Sequence, residues 1–398
     1  MPVSFSLFLA GVVLILLAAV PYVVYLFGMT FGKKVEPLDR NAASELPDIS
    51  IIVCAYNEER TISDKIASIS DCTYPKDKIE FVLVVDCADD NTVSVARNAL
   101  EVVDFKWIIH ENEKRSGKNG SFNNGLKIAS HNIIIDSDAD VEWDSQAIEI
   151  LVRRLIQDEN IAVVSGDLQP RVTGEMTSSL EKTYRSYFGR MSEWEGANDA
   201  TYIINGCLLA LRRDVIQEIT TCIGPDDANI AFVAIRKGYR ILYDGTAKVY
   251  EDIPESMKKQ YTQKARRAKG IIQATLANRD LMKQKRMFSR VFYPLRVWMY
   301  AVTPTLFFAG LVASFIGLLF ILPILAVAAL ILLVLILRFG KNTLITSFIT
   351  NQFYLFMGLY SRRKDAVIWQ STSKKVGEMN WKWARLVSDS RLRYCSNT

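Results

Sequence analysis

Asp138 and Asp140 stand one residue apart at the end of the run NIIIDSDAD, and a bend there would aim both carboxylates at one cation. Hard oxygen ligands of this kind suit Mg²⁺ or Mn²⁺ carrying a phosphorylated ligand. Asp136 and Asp138 share the same spacing, so the register stays open, and an acidic strand-to-helix turn is the plainer alternative. Upstream, Gly117-Lys118 within KRSGKNGSFNNG joins a pliant backbone to a point positive charge suited to phosphate. It is not a P-loop, because G-x-x-x-x-G-K-[ST] is absent. Asp226 and Asp227 precede the helical pattern DDANIAFVAIRKG, where either suits a helix N-cap. Between 256 and 278, Met257, Tyr261, Ala265, Ala268, Ile272 and Leu276 recur at helical steps, while Gln263, Arg266, Arg267 and Gly270 fall on another face. A basic amphipathic helix of this kind suits a membrane interface, with its polar face closing over a diphosphate or solvated and drawn to anionic lipid.

The elements that must position these groups are legible as an alternation. Between about 48 and 252, ISIIVCAY, IEFVLVVD, KWIIHEN and NIIIDSDAD are each followed by a helical pattern, starting near Glu58, Asn91, Asn119 and Ser145. That is the signature of a mostly parallel, doubly wound α/β sheet. Ligands of such sheets sit at the carboxyl ends of strands, so Tyr56-Asn57-Glu58, Asp86 and Asp138-Ala139-Asp140 should converge on one crevice. No G-x-G-x-x-G follows the first strand, which argues against a dinucleotide cofactor.

The 398 residues carry a net charge of +5 and are 50% hydrophobic and 23% charged, but the charge is segregated. Residues 1–32 and 297–337 contain no Asp, Glu, Lys or Arg, which excludes a purely soluble or disordered chain. Six cysteines without a C-x-x-C pair, and only His110 and His131, make a structural zinc site hard to assemble. Residues 5–27 suffice for one span, and the basic residues that follow, with none before, read against a signal peptide. Lys33, Lys34 and Arg40 place the next segment in the cytosol and the N-terminus outside. Val297–Leu337 reads as a helical hairpin, with Gly317 and Pro323 near its reversal and basic residues at both outer ends. Residues 343–360 are shorter and contain Asn351 and Gln352; a crossing there would export the basic tail 361–398, so this segment is expected in the interface.

SIIVCAYNEE, VVDCADDNT, SGKNGSFNNGL and DADVEWDSQAIEIL, in this order and spacing, resemble the donor-binding half of family-2 glycosyltransferases of the GT-A fold. Asn123, fifteen residues before Asp138, matches that family's spacing and sets the register on Asp138 and Asp140. Gly224-Pro225-Asp226-Asp227 occupies the place of the family's T-E-D, and QKARRAKG resembles the Q-x-x-R-W-x-x-G of cellulose-synthase-like members. The resemblance covers roughly 48–275 and, more loosely, the flanking spans. It implies a nucleotide-diphosphate sugar bound by Ala55, Tyr56, Glu58, Asp86, Lys118, Asp138, Gln263, Arg266 and Arg267, with Tyr56, Glu58 and Asp86 near base and ribose. It also implies Mn²⁺ or Mg²⁺ on Asp138 and Asp140, and Asp227 as the general base of an inverting transfer. The expected layout is a transmembrane helix (1–32), a cytosolic GT-A domain with a Rossmann-like, mostly parallel sheet (33–255), amphipathic interface helices (256–296), a transmembrane hairpin (297–338), and an interfacial segment with a basic cytosolic tail (339–398).

The chain looks most like reduced cellulose-synthase-like membrane enzymes of archaea. For these the resemblance suggests GDP-mannose as donor, a dolichyl or polyprenyl lipid as acceptor, a role in N-glycan or cell-envelope glycan synthesis, and no nucleic-acid partner. Arg267 stands where processive polymer synthases have Trp, and three spans are few for a polymer tunnel. Both features read against the alternative, a processive exopolysaccharide synthase using a UDP-sugar. A nucleotide-sugar-binding scaffold without transfer is the rival from another class.

Overall fold

The computed structural model describes residues 2–38, 45–171, 176–221, 224–252, 257–339 and 343–360. The calls on Arg40 and the 361–398 tail lie outside them. The described residues form two compact units, one of residues 35–38, 45–171, 195–221, 224–252 and 257, the other of residues 2–34, 176–194, 258–339 and 343–360. The segment 176–194 therefore clusters with the apolar helices although it lies within the 33–255 stretch.

In the first of these units the elements run β1 (Ile49–Ala55), α2 (Ile62–Ser70), β2 (Ile79–Val85), α3 (Thr92–Leu100), β3 (Lys106–Glu111), α4 (Gly117–Ile128), β4 (Ile133–Asp138), β5 (Val141–Trp143), α5 (Ala147–Gln157), β6 (Ile161–Pro170), β7 (Leu208–Arg212), α7 (Asp226–Arg236) and β8 (Arg240–Glu251). Two helices, α1 (Val3–Phe31) and α8 (Met257–Ala277), belong to the other unit, and α6 (Met176–Asn198) lies mostly in it. The eight strands make one sheet in the order β3-β2-β1-β4-β7-β6-β8-β5. β1, β2, β3 and β4 are mutually parallel, β7 runs antiparallel between β4 and β6, and β5 pairs antiparallel with the end of β8. This is the mostly parallel sheet that the alternation predicts.

The central strands read as unbroken apolar runs because both faces are covered; every residue of ISIIVCA and IEFVLVV is buried. β3, at the edge, alternates in exposure instead. α4 lies so close to the sheet that a Cβ on Gly125 would come within 2.6 Å of Ile52 Cγ2. α2 starts at Ile62 rather than Glu58, because Asn57 takes a left-handed backbone (φ 56°) and the Thr61 N–H closes a turn on the Glu58 carbonyl. α4 starts at Gly117, earlier than Asn119, for a reason given below.

In the other unit, α1 and the helix Phe288–Ile321 are long and apolar enough to cross a membrane, and Pro323–Phe339 is a shorter apolar helix. α1 and Phe288–Ile321 pack closely through small residues: a Cβ on Gly317 would meet Phe8 N at 2.5 Å, and one on Gly310 the Gly11 carbonyl at 2.8 Å. Gly317 thus serves close approach inside a helix and not a reversal; the break falls at Leu322, and Pro323 opens the next helix. Leu344–Tyr360 packs on both partners: Gln352 donates to the Tyr22 hydroxyl (2.6 Å), and Phe348 meets Phe307 edge-on (5.2 Å). α8 rests on this helix, where a Cβ on Gly358 would lie 3.2 Å from Ile272 Cδ1.

Candidate active site

The carboxyl ends of β1, β2 and β4 converge as expected. Asp86, just past β2, is fully buried, and its carboxylate accepts the N–H groups of Ser116 (2.7 Å) and Gly117 (2.9 Å) and the Asn112 side-chain amide (2.8 Å). It satisfies donors at the start of α4 that no helical carbonyl reaches. That contact sets the helix start at Gly117, whose left-handed backbone (φ 70°) turns the chain there. Ala55, the last residue of β1, is buried and accepts the Asp86 N–H at 2.9 Å.

At the rim, the Arg115 guanidinium lies 3.2 Å over the Tyr56 ring, and the Tyr56 hydroxyl donates to Asp89 (3.2 Å). Glu58 is half-buried; its N–H donates to Thr92 Oγ1 (2.8 Å), and its carboxylate accepts the Thr61 hydroxyl (2.6 Å). Asn57 and Cys87 are, among the described residues, the non-glycines with left-handed backbone, and both border this crevice.

The acidic cluster lies deeper. Lys118 Nζ bridges Asp138 and Asp226, at 2.7 Å from the latter. Burial opposes its charge, but Asp138, Asp226 and Asp136 outweigh that and hold its pKa well above the ordinary lysine value. The three aspartates of DSDAD separate by environment. Asp136 is buried within the sheet, opposite Ile52 and Leu209, with neither oxygen hydrogen-bonded. Asp138 and Asp140 are half-buried. Burial, helped by Asp226 and Asp138 and opposed by Lys118, pushes the Asp136 carboxyl well above the carboxylate range.

Asp226 and Asp227 open α7; Pro225 is the N-cap, so neither takes the capping position. Asp227 accepts the Ala228 N–H (2.6 Å). Burial and the adjacent Asp226 push its pKa up to about 7, while the Ala228 N–H and Lys118 pull the other way. The loop before α7 is tied to α4: Asn123 donates to the Ile219 carbonyl (2.8 Å) and accepts its N–H (2.9 Å), and Asn119 donates to the Thr220 carbonyl (2.8 Å). Asn123, read in the sequence only as a spacing marker, therefore joins the Lys118 helix to the Asp227 segment.

Among the described residues no three His, Cys, Asp or Glu side chains gather around one point as a metal cage. Mg²⁺ and Mn²⁺ at phosphate-handling sites take one or two carboxylates and fill the remaining positions with water and phosphate oxygens, so Asp138 and Asp140 fit such an ion. Gln263, Arg266 and Arg267 lie on α8 in the other unit, the first two half-buried and Arg267 exposed. Sequence reasoning missed Lys65, Ser137 and Arg115. Only Lys65 left a signal, since it shares the helical stripe of Ile62, Ile66 and Ile69.

Residues 50–220 match the family model for Glycosyl transferase family 2. They are a family-2 glycosyltransferase domain of the GT-A fold. The chain is 29% identical over 303 residues to the probable glycosyltransferase YdaM of Bacillus subtilis, covering 72% of this chain and 69% of that protein. It is 25% identical over 280 residues to the poly-beta-1,6-N-acetyl-D-glucosamine synthase of Staphylococcus aureus, covering 69% of this chain and 65% of that one. The chain thus spans about two thirds of these relatives. A mannosyltransferase of Pyrobaculum calidifontis, solved in complex with GDP-Man and Mn²⁺, shares the fold with a TM-score of 0.73 over 89% of this chain and 100% of that chain, at 22% identity. The family-2 glycosyltransferase domain acts on a nucleotide sugar.

Proposed function

We propose that this family-2 glycosyltransferase is an inverting, divalent-metal-dependent enzyme of the membrane surface that moves one sugar from a nucleotide diphosphate to a lipid-linked acceptor. The observation that carries the reading is the Asp227 carboxyl. It sits in one cluster with Asp226, Lys118 and Asp138, and its pKa of about 7 suits a base that takes a proton near neutrality. Asp227 accepts the acceptor's proton as the acceptor oxygen bonds to the anomeric carbon, the bond from that carbon to the diphosphate breaks, and the nucleotide diphosphate departs. Asp138 and Asp140 would hold a divalent ion, which would supply positive charge to offset that growing on the departing diphosphate. Lys118 exchanges its carboxylate partners for phosphate oxygens when the donor enters. Tyr56, Glu58 and Asp86 border the base and ribose, Ala55 lines the same strand end, and for Gln263, Arg266 and Arg267 a donor-binding role rests on the family resemblance alone.

Membrane residence rests on surface chemistry. Leu16, Val23, Phe27, Val312 and Phe320 are each more than half exposed on helices long enough to span, and an apolar surface of this extent in water would aggregate. Basic residues around these helices favour a cytosolic catalytic domain and an N-terminus outside. The acceptor is a dolichyl or polyprenyl phosphate or a lipid-linked glycan; the proton that Asp227 takes comes from a glycan hydroxyl or from the singly protonated form of the phosphate, whose second pKa is about 6. GDP-mannose is the preferred donor. The likeness to a mannosyltransferase crystallised with GDP-Man and Mn²⁺ is consistent with that choice.

The test incubates detergent-purified protein with Mn²⁺, dolichyl phosphate and radiolabelled UDP- and GDP-sugars, followed by lipid extraction. Label in the lipid from GDP-mannose, abolished by EDTA and restored by Mn²⁺, is expected. Likeness to the poly-N-acetylglucosamine synthase favours a second reading, processive polymer synthesis from a UDP-sugar, and a ladder of water-soluble products would select it.

A further inference from the structure

Lys65 is a lysine in the core. It lies on α2 at 1% exposure, on the stripe that buries Ile62, Ile66 and Ile69. An ammonium there loses its hydration, and an apolar side chain of similar size would pack at lower cost. Burial draws its pKa down to about 7, against Asp138, Cys207, Asp140 and Asp136, which push it up. The surroundings show what the group does. Lys65 Nζ donates to Ser137 Oγ (2.7 Å) and to the Val141 carbonyl (3.3 Å), and it lies 3.7 Å over the Trp143 ring. Ser137 and Val141 are the residues immediately before and after Asp138-Ala139-Asp140.

The Ser137 hydroxyl also accepts Trp143 Nε1–H (3.1 Å) and donates to the Cys207 carbonyl (2.6 Å), so its hydrogen-bonding capacity is filled. Cys207 follows Gly206, where a Cβ would lie 3.2 Å from Asp227 Cβ and 3.4 Å from Asp226 Oδ2. We infer that Lys65 is a positioning residue: it clamps both ends of the Asp138–Asp140 turn and, through Ser137 and the Cys207 carbonyl, ties that turn to the loop that backs Asp226 and Asp227. The inference rests on the proposed metal role of Asp138 and Asp140.

Two possible roles for Lys65 predict opposite signs. If it acted only by packing or by its charge, replacing it with a neutral side chain of similar length would leave metal binding unchanged or tighten it, because a positive charge beside carboxylates repels a cation. If it positions the turn, the same change weakens binding. The measurement is Mn²⁺ affinity by paramagnetic resonance of free Mn²⁺, at pH 8 with saturating UDP or GDP. It compares the purified full chain, Lys65→Met, Ser137→Ala and Asp140→Asn, with a melting temperature for each.

The expected result is a loss of tenfold or more in Lys65→Met and of threefold or more in Ser137→Ala. Unchanged or tighter binding in folded Lys65→Met overturns the inference while leaving the metal reading intact. If Lys65→Met does not fold, Ser137→Ala decides, and wild-type affinity there overturns it. No Mn²⁺ binding by the wild type, or undiminished binding by Asp140→Asn, overturns the metal reading and this inference with it.

Discussion

Asp227 and Asp226 are adjacent acids at the start of one helix, and burial together with the neighbouring Asp226 pushes the Asp227 pKa up to about 7, which suits the base we propose. Two predictions belong to this scale. Because the folded Asp227 pKa of about 7 lies above the ordinary aspartate value of 3.8, the native state binds the extra proton between those values, and stability falls as pH rises through that window. Asp227→Asn should therefore melt higher than the wild type at pH 8, by roughly 2–4 °C for ~1 kcal/mol, with the difference gone near pH 4. Calorimetry or fluorescence melting at both pH values checks it. Lys118→Met should raise the donor KM by about tenfold or more, since its partner on the diphosphate is lost and Asp138 and Asp226 then repel the phosphates directly. Asp138 and Asp140 were legible as a pair, but their distinction from Asp136 came only through the family spacing of Asn123. The sheet supplies the physical reason: Asp136 is buried between Ile52 and Leu209, while Asp138 and Asp140 are half-buried.

Elements decide where those residues stand. β1, β2 and β4 were readable because strands covered on both faces leave near-continuous apolar stretches rich in Ile and Val, and the switch between β1 and β4 follows from their parallel order. β5 escaped because three residues carry no periodicity, and its partner on β8 is far away in sequence. Lys65 was overlooked for the same reason: the clamp it makes with Ser137 and Val141 is tertiary. The bond pair between Asn123 and Ile219 is the element-scale test. Asn123→Ala leaves the Ile219 N–H and carbonyl without their buried partner, which should cost about 1–3 kcal/mol. It should also lower the transfer rate more than it raises the donor KM, because the Asp227 segment is held through that loop. Chemical denaturation together with steady-state kinetics reads both effects.

For the whole molecule, the apolar unit is assembled by glycines that allow helices to touch. Gly310→Leu would drive a side chain into the Gly11 carbonyl and Ile15, and should destabilise the α1 pairing by about 1–3 kcal/mol. The checks are a lower melting temperature in detergent and lower membrane yield. Composition identified these helices and Pro323 marked their break, but Gly317, read beside it as part of the reversal, serves close packing, because a glycine that permits packing and one that permits a turn look alike in a sequence. The central claim is that the crevice beneath the sheet performs transfer with Asp227 as its base. The direct measurement is donor affinity and transfer rate for Asp227→Asn beside the wild type, with the nucleotide sugar the wild type uses and Mn²⁺ present. The account predicts donor Kd within about threefold of wild type and a transfer rate lower by ~10²-fold or more. Transfer by Asp227→Asn at the wild-type rate would contradict it.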